Sequence, residues 1–278
     1  MIISIASGKG GTGKTTVATN LALSLEGVQL IDCDVEEPNA NIFLNATIHE
    51  RKEISVDIPK IDKTLCDFCG KCSEFCMYNA LAVVPTDILV FPELCHSCGG
   101  CKLVCPRDAV SWDTRVVGLI EHGTTNGMDF YHGLLNVGEI QAIPVIKALK
   151  RKINKDNRVI LDAPPGTSCP VIEAVNSSDY CILVTEPTPF GLHDLKLAVE
   201  MIRHLKIPFG VIINRDGIGY NKVEDYCQKE KISIVMKIPH SEKIANLYSK
   251  GIPFVTELSE WRQRFCNLFS DIQAEVKK

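Results

Sequence analysis

Short apolar runs recur along the chain, each closing on a polar residue or a turn. Residues 2–6, 28–32, 158–162, 180–184 and 209–213 have the length and apolar content of buried strands. Between them lie stretches with apolar positions at helical spacing, among them Lys14–Leu25, Leu192–Leu205 and Tyr220–Lys229. This alternation predicts an α/β fold, a mostly parallel sheet with helices on both faces. Ligands of such sheets sit at the carboxyl ends of the strands.

The pattern is split. Residues 1–59 and 114–278 read as one domain, and residues 60–113 as a small α+β insert. Within 114–157, Gly127, Gly133 and Gly138 punctuate an expected hairpin with a strand near Leu134–Val137. A helix near Gln141–Lys152 then leads into the strand at 158–162. Trp261 to Lys278 mixes apolar and charged positions helically and is expected to pack on the core.

Composition narrows the class. The chain has 278 residues, 45% of them hydrophobic, enough for a sizeable core. No apolar run is long enough to span a bilayer, and there is no basic amphipathic tail, so no stable membrane anchor is expected. A net charge of −4 weighs against nucleic acid as a partner. Met1 leads directly into a strand with no signal peptide, which places the expected location in the cytoplasm.

The first strand runs into Ser7-Gly8-Lys9-Gly10-Gly11-Thr12-Gly13-Lys14-Thr15-Thr16. Two phosphate motifs overlap here. Gly8-x-Gly10-x-x-Gly13, with Asp32 downstream, satisfies the dinucleotide fingerprint. Gly8-x4-Gly13-Lys14-Thr15 satisfies the P-loop. Lys14 and Thr15 decide between them: a P-loop needs a lysine on the β/γ-phosphates and a hydroxyl on Mg²⁺, and a dinucleotide site needs neither. The glycines let backbone N–H groups curl round phosphate, and the following helix start adds positive potential. The strand at 158–162 closes on Asp162, a Walker B carboxylate, followed by Ala163-Pro164-Pro165-Gly166-Thr167. Gly166 is placed to offer its N–H to a γ-phosphate. Mg²⁺ prefers few protein oxygens plus water and phosphate, which Thr15 and Asp162 supply with Asp32 near by.

Eight of the thirteen cysteines form two runs of one pattern, Cys66-x2-Cys69-x2-Cys72-x3-Cys76 and Cys95-x2-Cys98-x2-Cys101-x3-Cys105, each position recurring 29 residues later. The spacing is that of a bacterial ferredoxin with two [4Fe–4S] clusters. Zinc favours two C-x2-C pairs, and disulfides need an oxidising compartment; neither fits as well. Carried over residue by residue, the ferredoxin pattern implies one cluster on Cys66, Cys69, Cys72 and Cys105, and another on Cys95, Cys98, Cys101 and Cys76. The phrases Tyr78-Asn79-Ala80-Leu81 and Arg107-Asp108-Ala109-Val110 are expected to be short helices of a pseudo-twofold repeat.

The sequence Lys9-Gly-Gly-Thr-Gly-Lys14-Thr15 resembles the deviant Walker A ATPases that include MinD, ParA, Mrp and the nitrogenase iron protein. The whole chain resembles members of that superfamily with an inserted ferredoxin domain. The resemblance implies ATP hydrolysis to ADP with Mg²⁺ and a nucleotide-dependent dimer, formed with a second copy or a related ATPase. It implies that Lys9 reaches the partner's nucleotide, that Asp34 orients the attacking water, and that Asp32 lies near Mg²⁺. By the same resemblance Asn214 reads the adenine edge and Pro239 flanks the base. Cys169 falls where Mrp-type proteins usually carry an aspartate. In the nitrogenase iron protein a switch II cysteine holds a shared cluster, but a second cysteine is needed and no clear counterpart is present. The C-terminal C-x-x-C of Mrp relatives is absent.

Of the remaining residues, Cys33, Cys181, Cys227 and Cys266 read as core positions, and His122 and His132 as surface or capping residues. Three functions follow: an ATP-gated redox protein serving an unidentified acceptor, a factor that assembles or delivers metalloclusters, and a MinD- or ParA-like positioning switch.

Overall fold

The computed structural model describes residues 1–277. Its strands are β1 (Ile2–Ala6), β2 (Val28–Asp32), β3 (Thr47–Ile61), β4 (Leu81–Val84), β5 (Asp87–Val90), β6 (Val110–Thr125), β7 (Met128–Leu135), β8 (Arg158–Asp162), β9 (Tyr180–Thr185), β10 (Phe209–Asp216) and β11 (Ile234–Pro239). Its α-helices are α1 (Lys14–Leu23), α2 (Ala40–Leu44), α3 (Lys71–Phe75), α4 (Gly100–Leu103), α5 (Ile143–Lys150), α6 (Cys169–Val175), α7 (Pro189–Leu205), α8 (Lys222–Lys229), α9 (Glu242–Ser249), α10 (Phe254–Glu257) and α11 (Ser259–Val276).

Nine strands form one sheet in the order β11-β10-β9-β1-β8-β2-β7-β6-β3. The pairings from β11 to β7 are parallel, and β6 and β3 join as antiparallel strands. Residues alternate between two apolar layers, as the pleat requires. Ile3, Ile5, Leu30, Ile160 and Phe130 face α1, α10 and α11, where Val17, Leu21, Phe254, Trp261 and Phe265 cover them. Ile31, Val159, Leu161 and Leu183 face α5–α8, covered by Ile146, Leu149, Val171, Ala198 and Val223. This is the α/β architecture, a mostly parallel sheet with helices on both faces, that the apolar runs predict, and the P-loop motif lies at the end of its first strand.

Several boundaries move. The expected hairpin exists as β6–β7, turning at Asn126-Gly127, but its strand is Met128–Leu135 and takes in Gly133. The helix expected at 141–152 is α5, whose start is set by Pro144 in its first turn. The terminal helix buries Trp261, Phe265, Leu268, Phe269 and Ile272 and runs to Val276; Lys278, which closed the expected range, lies outside the described residues. His132 is neither at the surface nor a cap. It is buried in β7 with Nε2 2.6 Å from Glu121 Oε2. His122 pairs likewise with Asp129 at 2.6 Å and stacks on Tyr131.

The largest departure is a ribbon. β3 and β6 pair from Thr47↔Thr124 to Ile61↔Val110, well past the end of β7. The boundaries drawn at 59/60 and 113/114 therefore fall inside paired strands. The ribbon carries residues 62–109 at its far end, a lobe with its own two-stranded sheet, β4–β5. Within the lobe, the phrases at 78–81 and 107–110 are not helices. Asn79 (φ 53°) and Asp108 (φ 48°) adopt left-handed backbone, which stops a helix and swings the chain into β4 and β6. The helices lie earlier, as α3 and α4, and carry Cys72 and Cys101.

Candidate functional site

The P-loop wraps from β1 to α1. A Cβ on Gly8 would lie 2.1 Å from the Asp194 carbonyl oxygen, so the loop passes α7 at a distance only glycine permits. Gly13 caps α1 at φ 94°, with Asn214 Nδ2 where a side chain would stand. Lys14, Thr15 and Thr16 form the first turn of α1, and Lys14 is buried.

The parallel register sets two carboxylates side by side, Asp32 opposite Asp162 on neighbouring strands. Asp32 accepts from the backbone N–H groups of Asp34 (3.0 Å), Asn39 (3.1 Å) and Ala40 (3.0 Å). It thereby ties the start of α2 to the sheet edge. Asp162 is fully buried, and neither of its oxygens has a hydrogen-bond partner. Burial raises both carboxyls above their usual range; at Asp32 the Asp162 charge adds to this. Asp162 is held up to about 6, with Lys14 opposing the shift. Burial also brings Asp34 to about 6, again against Lys14. An unpartnered, desolvated carboxylate beside a lysine and a threonine fits a hard divalent cation with oxygen ligands.

A cleft of about 1100 Å³ opens at this edge. Gly10, Gly11, Gly13, Lys14, Thr15, Thr16, Asp34, Asn214 and Pro239 line it. Gly8, Lys9, Thr12, Asp32, Asp162 and Gly166 do not. The Gly166 N–H donates to the Ser7 carbonyl at 3.0 Å, so here it is engaged within the loop. Asn214 Nδ2 donates to the Thr12 carbonyl at 2.8 Å, joining β10 to the P-loop. Lys9 points to Glu186, with Nζ 2.5 Å from Oε1, and Arg215 takes the other oxygen at 2.9 Å.

Some wall residues had no sequence signal. Phe43 and Tyr248 flank the cleft with ring centroids 5.5 Å apart. Ser241 and Ile244, by contrast, continue the wall from Pro239 in the loop expected to flank the base. Glu186 was missed as well. It meets Lys9 across 177 positions of chain, and only the adjacency of β1 and β9 brings the two together.

The lobe at the end of the ribbon contains two hollows. Cys66, Cys69, Cys72 and Cys105 line one. Cys76, Cys95, Cys98 and Cys101 line the other. The local geometry repeats with the cysteines. Phe68 and Ser97 donate backbone N–H to Cys66 and Cys95 sulfur at 3.4 Å, and Ala80 and Ala109 donate to Cys76 and Cys105 sulfur at 3.3 Å. Leu81↔Val90 in β4–β5 repeats as Val110↔Ile61 in β6–β3. A single tetrahedral zinc would draw four thiolates to about 2.3 Å of one point. Among the described residues no such convergence exists, and the cysteines surround volumes. A shell of four thiolates with backbone N–H groups aimed at sulfur fits a cubane cluster. Burial pushes the Cys101 thiol up to about 11. Cys169 is exposed in the first turn of α6, remote from both runs in sequence.

Known proteins resemble this chain over most of its length. An uncharacterized protein of Methanocaldococcus jannaschii is 30% identical over 264 residues, covering 92% of this chain and 91% of its own. An iron-sulfur cluster carrier protein of Pyrococcus furiosus is 26% identical over 275 residues, covering 91% and 78%. The septum site-determining protein MinD of Pyrococcus horikoshii, solved with Mg-ADP, shares the fold at a TM-score of 0.59 with 21% identity, over 98% of this chain and 95% of that one. Residues 3–254 match the model described as the CobQ/CobB/MinD/ParA nucleotide binding domain, and with its P-loop at the strand edge the chain belongs to that family.

Proposed function

We propose that this protein is a Mg²⁺-dependent ATPase whose nucleotide state controls electron transfer through two [4Fe–4S] clusters held in the lobe. One observation carries the reading. The Asp32 carboxylate beside the P-loop holds the N–H groups of Asn39 and Ala40, and the chain continues through α2 into β3, whose far end bears the cysteines. A change in the charge facing Asp32 therefore acts on the root of the ribbon. Lys14, Thr15 and Asp162 would hold the Mg-nucleotide, Asp34 would orient water, and Asn214 and Pro239 would border the base.

In this reading ATP closes a dimer, with a second copy or a related ATPase, in which Lys9 leaves Glu186 for the partner's nucleotide. Electrons pass to an unidentified redox protein. The setting is cytoplasmic; no helix among the described residues is long and apolar enough to cross a membrane. The deciding experiment is anaerobic: ATPase rates on oxidised and reduced protein, with and without a nonhydrolysable ATP analogue during reoxidation. A several-fold dependence in either direction is expected. Equal rates and unchanged reoxidation would reject the coupling.

A second reading is delivery of clusters to an apo-protein. The Pyrococcus relative named as a cluster carrier favours it. Full sets of four cysteines disfavour it, because a closed thiolate set holds its cluster. Transfer to an apo-ferredoxin in the presence of a chelator separates the readings: delivery predicts ATP-stimulated loss of iron, and the gated redox protein retains it.

A further inference from the structure

The lobe that carries the eight cysteines meets the rest of the chain at its ribbon and at one other point. Gln141, on the loop between β7 and α5, donates from Nε2 to the Cys95 carbonyl at 2.6 Å. Among the described residues this is the one hydrogen bond or ion pair between residues 62–109 and chain outside the ribbon strands. Cys95 lines the second hollow. Cys66, its counterpart in the repeat, belongs to the half-site without such a tie.

The loop that presents Gln141 is braced at both ends. Asn136 holds the ribbon, donating its backbone N–H to the Val117 carbonyl at 2.9 Å and Nδ2 to the Val116 carbonyl at 3.0 Å. Glu139 is almost fully buried and pairs with Arg115 on β6. Its Oε1 accepts from the backbone N–H groups of Ile140 and Gln141, both at 3.0 Å, which fixes where Gln141 leaves the loop. Residues 136–141 therefore form an arm rather than a slack connection.

The arm begins at the nucleotide edge. Asp34 lines the cleft, and the carbonyl of the next residue, Val35, accepts from the Leu135 N–H at 2.8 Å. Val35 is buried, and its Cγ1 lies 2.7 Å from where a Cβ on Gly133 would stand. Residue 35 and the end of β7 are thus packed without slack, and close packing transmits displacement. A shift of residues 34–35 against a bound phosphate moves Leu135, and the arm that starts after Leu135 ends on Cys95.

We propose that Gln141 is the positioning residue that docks the second cysteine set on the P-loop core, and that nucleotide state moves it through Val35, Leu135 and the 136–141 arm. This rests on the reading above, in which nucleotide and lobe are coupled. It adds a route separate from α2 and β3 and assigns that route to one half-site. The two states are a docked lobe, with the Gln141–Cys95 bond made, and a lobe held by its ribbon alone. A neutral amide–carbonyl bond biases such a pair by only about fivefold, so bound Mg-nucleotide can reverse the balance.

The test is backbone hydrogen exchange on the anaerobic holoprotein, with and without a Mg-bound nonhydrolysable ATP analogue, at equal iron content. The signal is exchange in residues 95–101. In the wild type the analogue is expected to change it by at least about threefold. Gln141→Met, of similar length but with no donor, is expected to exchange faster there without nucleotide and to lose the response. Gln141→Lys, which keeps a donor, is expected to stay nearer wild type. A Gly-Gly insertion after Gly138 keeps the Gln141 donor and slackens the arm; slow exchange should persist while the response disappears. Nucleotide affinity is expected to stay within about twofold of wild type in all three. No response in the wild type, or a wild-type response in Gln141→Met, would overturn the proposal. Should Gln141→Met lose iron, the insertion decides alone. Reoxidation that ignores the analogue, beside exchange that follows it, would reject the electron gating and leave the docking role standing.

Discussion

Lys9 and Glu186 form an ion pair at 2.5 Å, although one belongs to the P-loop and the other follows β9. Arg215 shares the carboxylate at 2.9 Å. A lysine held this way is unavailable to a second subunit. Glu186→Gln is expected to release it and shift ATP-dependent dimerisation to lower concentration, by up to about fivefold for a partly exposed pair. Sedimentation with a nonhydrolysable ATP analogue measures the shift. A dimerisation constant identical to wild type would remove Glu186 as a competitor.

Lys14 and Asp34 both line the cleft and should separate binding from turnover. Lys14→Ala removes the principal counter-charge for phosphate. It is expected to weaken nucleotide binding at least about tenfold and to abolish hydrolysis. Asp34→Ala is expected to bind nucleotide within about twofold of wild type while turnover falls at least about a hundredfold. Calorimetry and phosphate release give the two numbers. An active Lys14→Ala protein would refute the site.

Acidity should act through Asp34 and Asp162. Both carboxyls are raised to about 6, chiefly by burial. The native apo state therefore retains protons that the unfolded chain has released. The stability these groups contribute is full below about 4 and is lost as pH rises through about 6. Mg-nucleotide binds the ionised form, so its stabilising effect grows over the same interval. The rise in melting temperature given by Mg-ADP is expected to be larger at about pH 7.5 than at about pH 5. An equal rise at both would show that neither carboxylate titrates with binding.

Crossed cysteine pairs supply the fourth check. Cys105 shares its hollow with Cys66, Cys69 and Cys72, and Cys76 shares the other with Cys95, Cys98 and Cys101. Cys66→Ser combined with Cys105→Ser is expected to leave one cluster intact. Cys66→Ser with Cys76→Ser, both from the first run, is expected to damage both. Iron content and the reduced-state spectrum distinguish the two outcomes. Loss of a single cluster in the second combination would mean that each run serves one cluster alone.

What the sequence made legible was local. The P-loop is contiguous, Asp32 and Asp162 end apolar strands, and the cysteine repeat carries its own period. Contacts between distant segments were not legible: nothing near Lys9 announces Glu186, and nothing near Cys95 announces Gln141. The ribbon was hidden for another reason. β3 is exposed along much of both faces, as at His49, Glu50, Arg51 and Lys52, so no buried side writes an alternation into the sequence. The lobe's helices were displaced because Asn79 and Asp108 take a left-handed conformation that composition alone does not reveal. His132 was misread because a histidine buried against Glu121 looks, in sequence, like any other polar residue in a strand.

The pairing of Ile61 with Val110 has a consequence for exchange. The lobe leaves and re-enters the chain at neighbouring points, so excising residues 62–109 opens no gap to span. An Asn-Gly turn suffices to close the two strands into a hairpin. Conversely, a P-loop protein whose sheet ends in a hairpin can accept this lobe as a graft at the hairpin's tip. The join moves the eight-cysteine lobe while leaving the chain path of the P-loop core uncut, so the lobe and the nucleotide-binding fold can be exchanged as separate pieces.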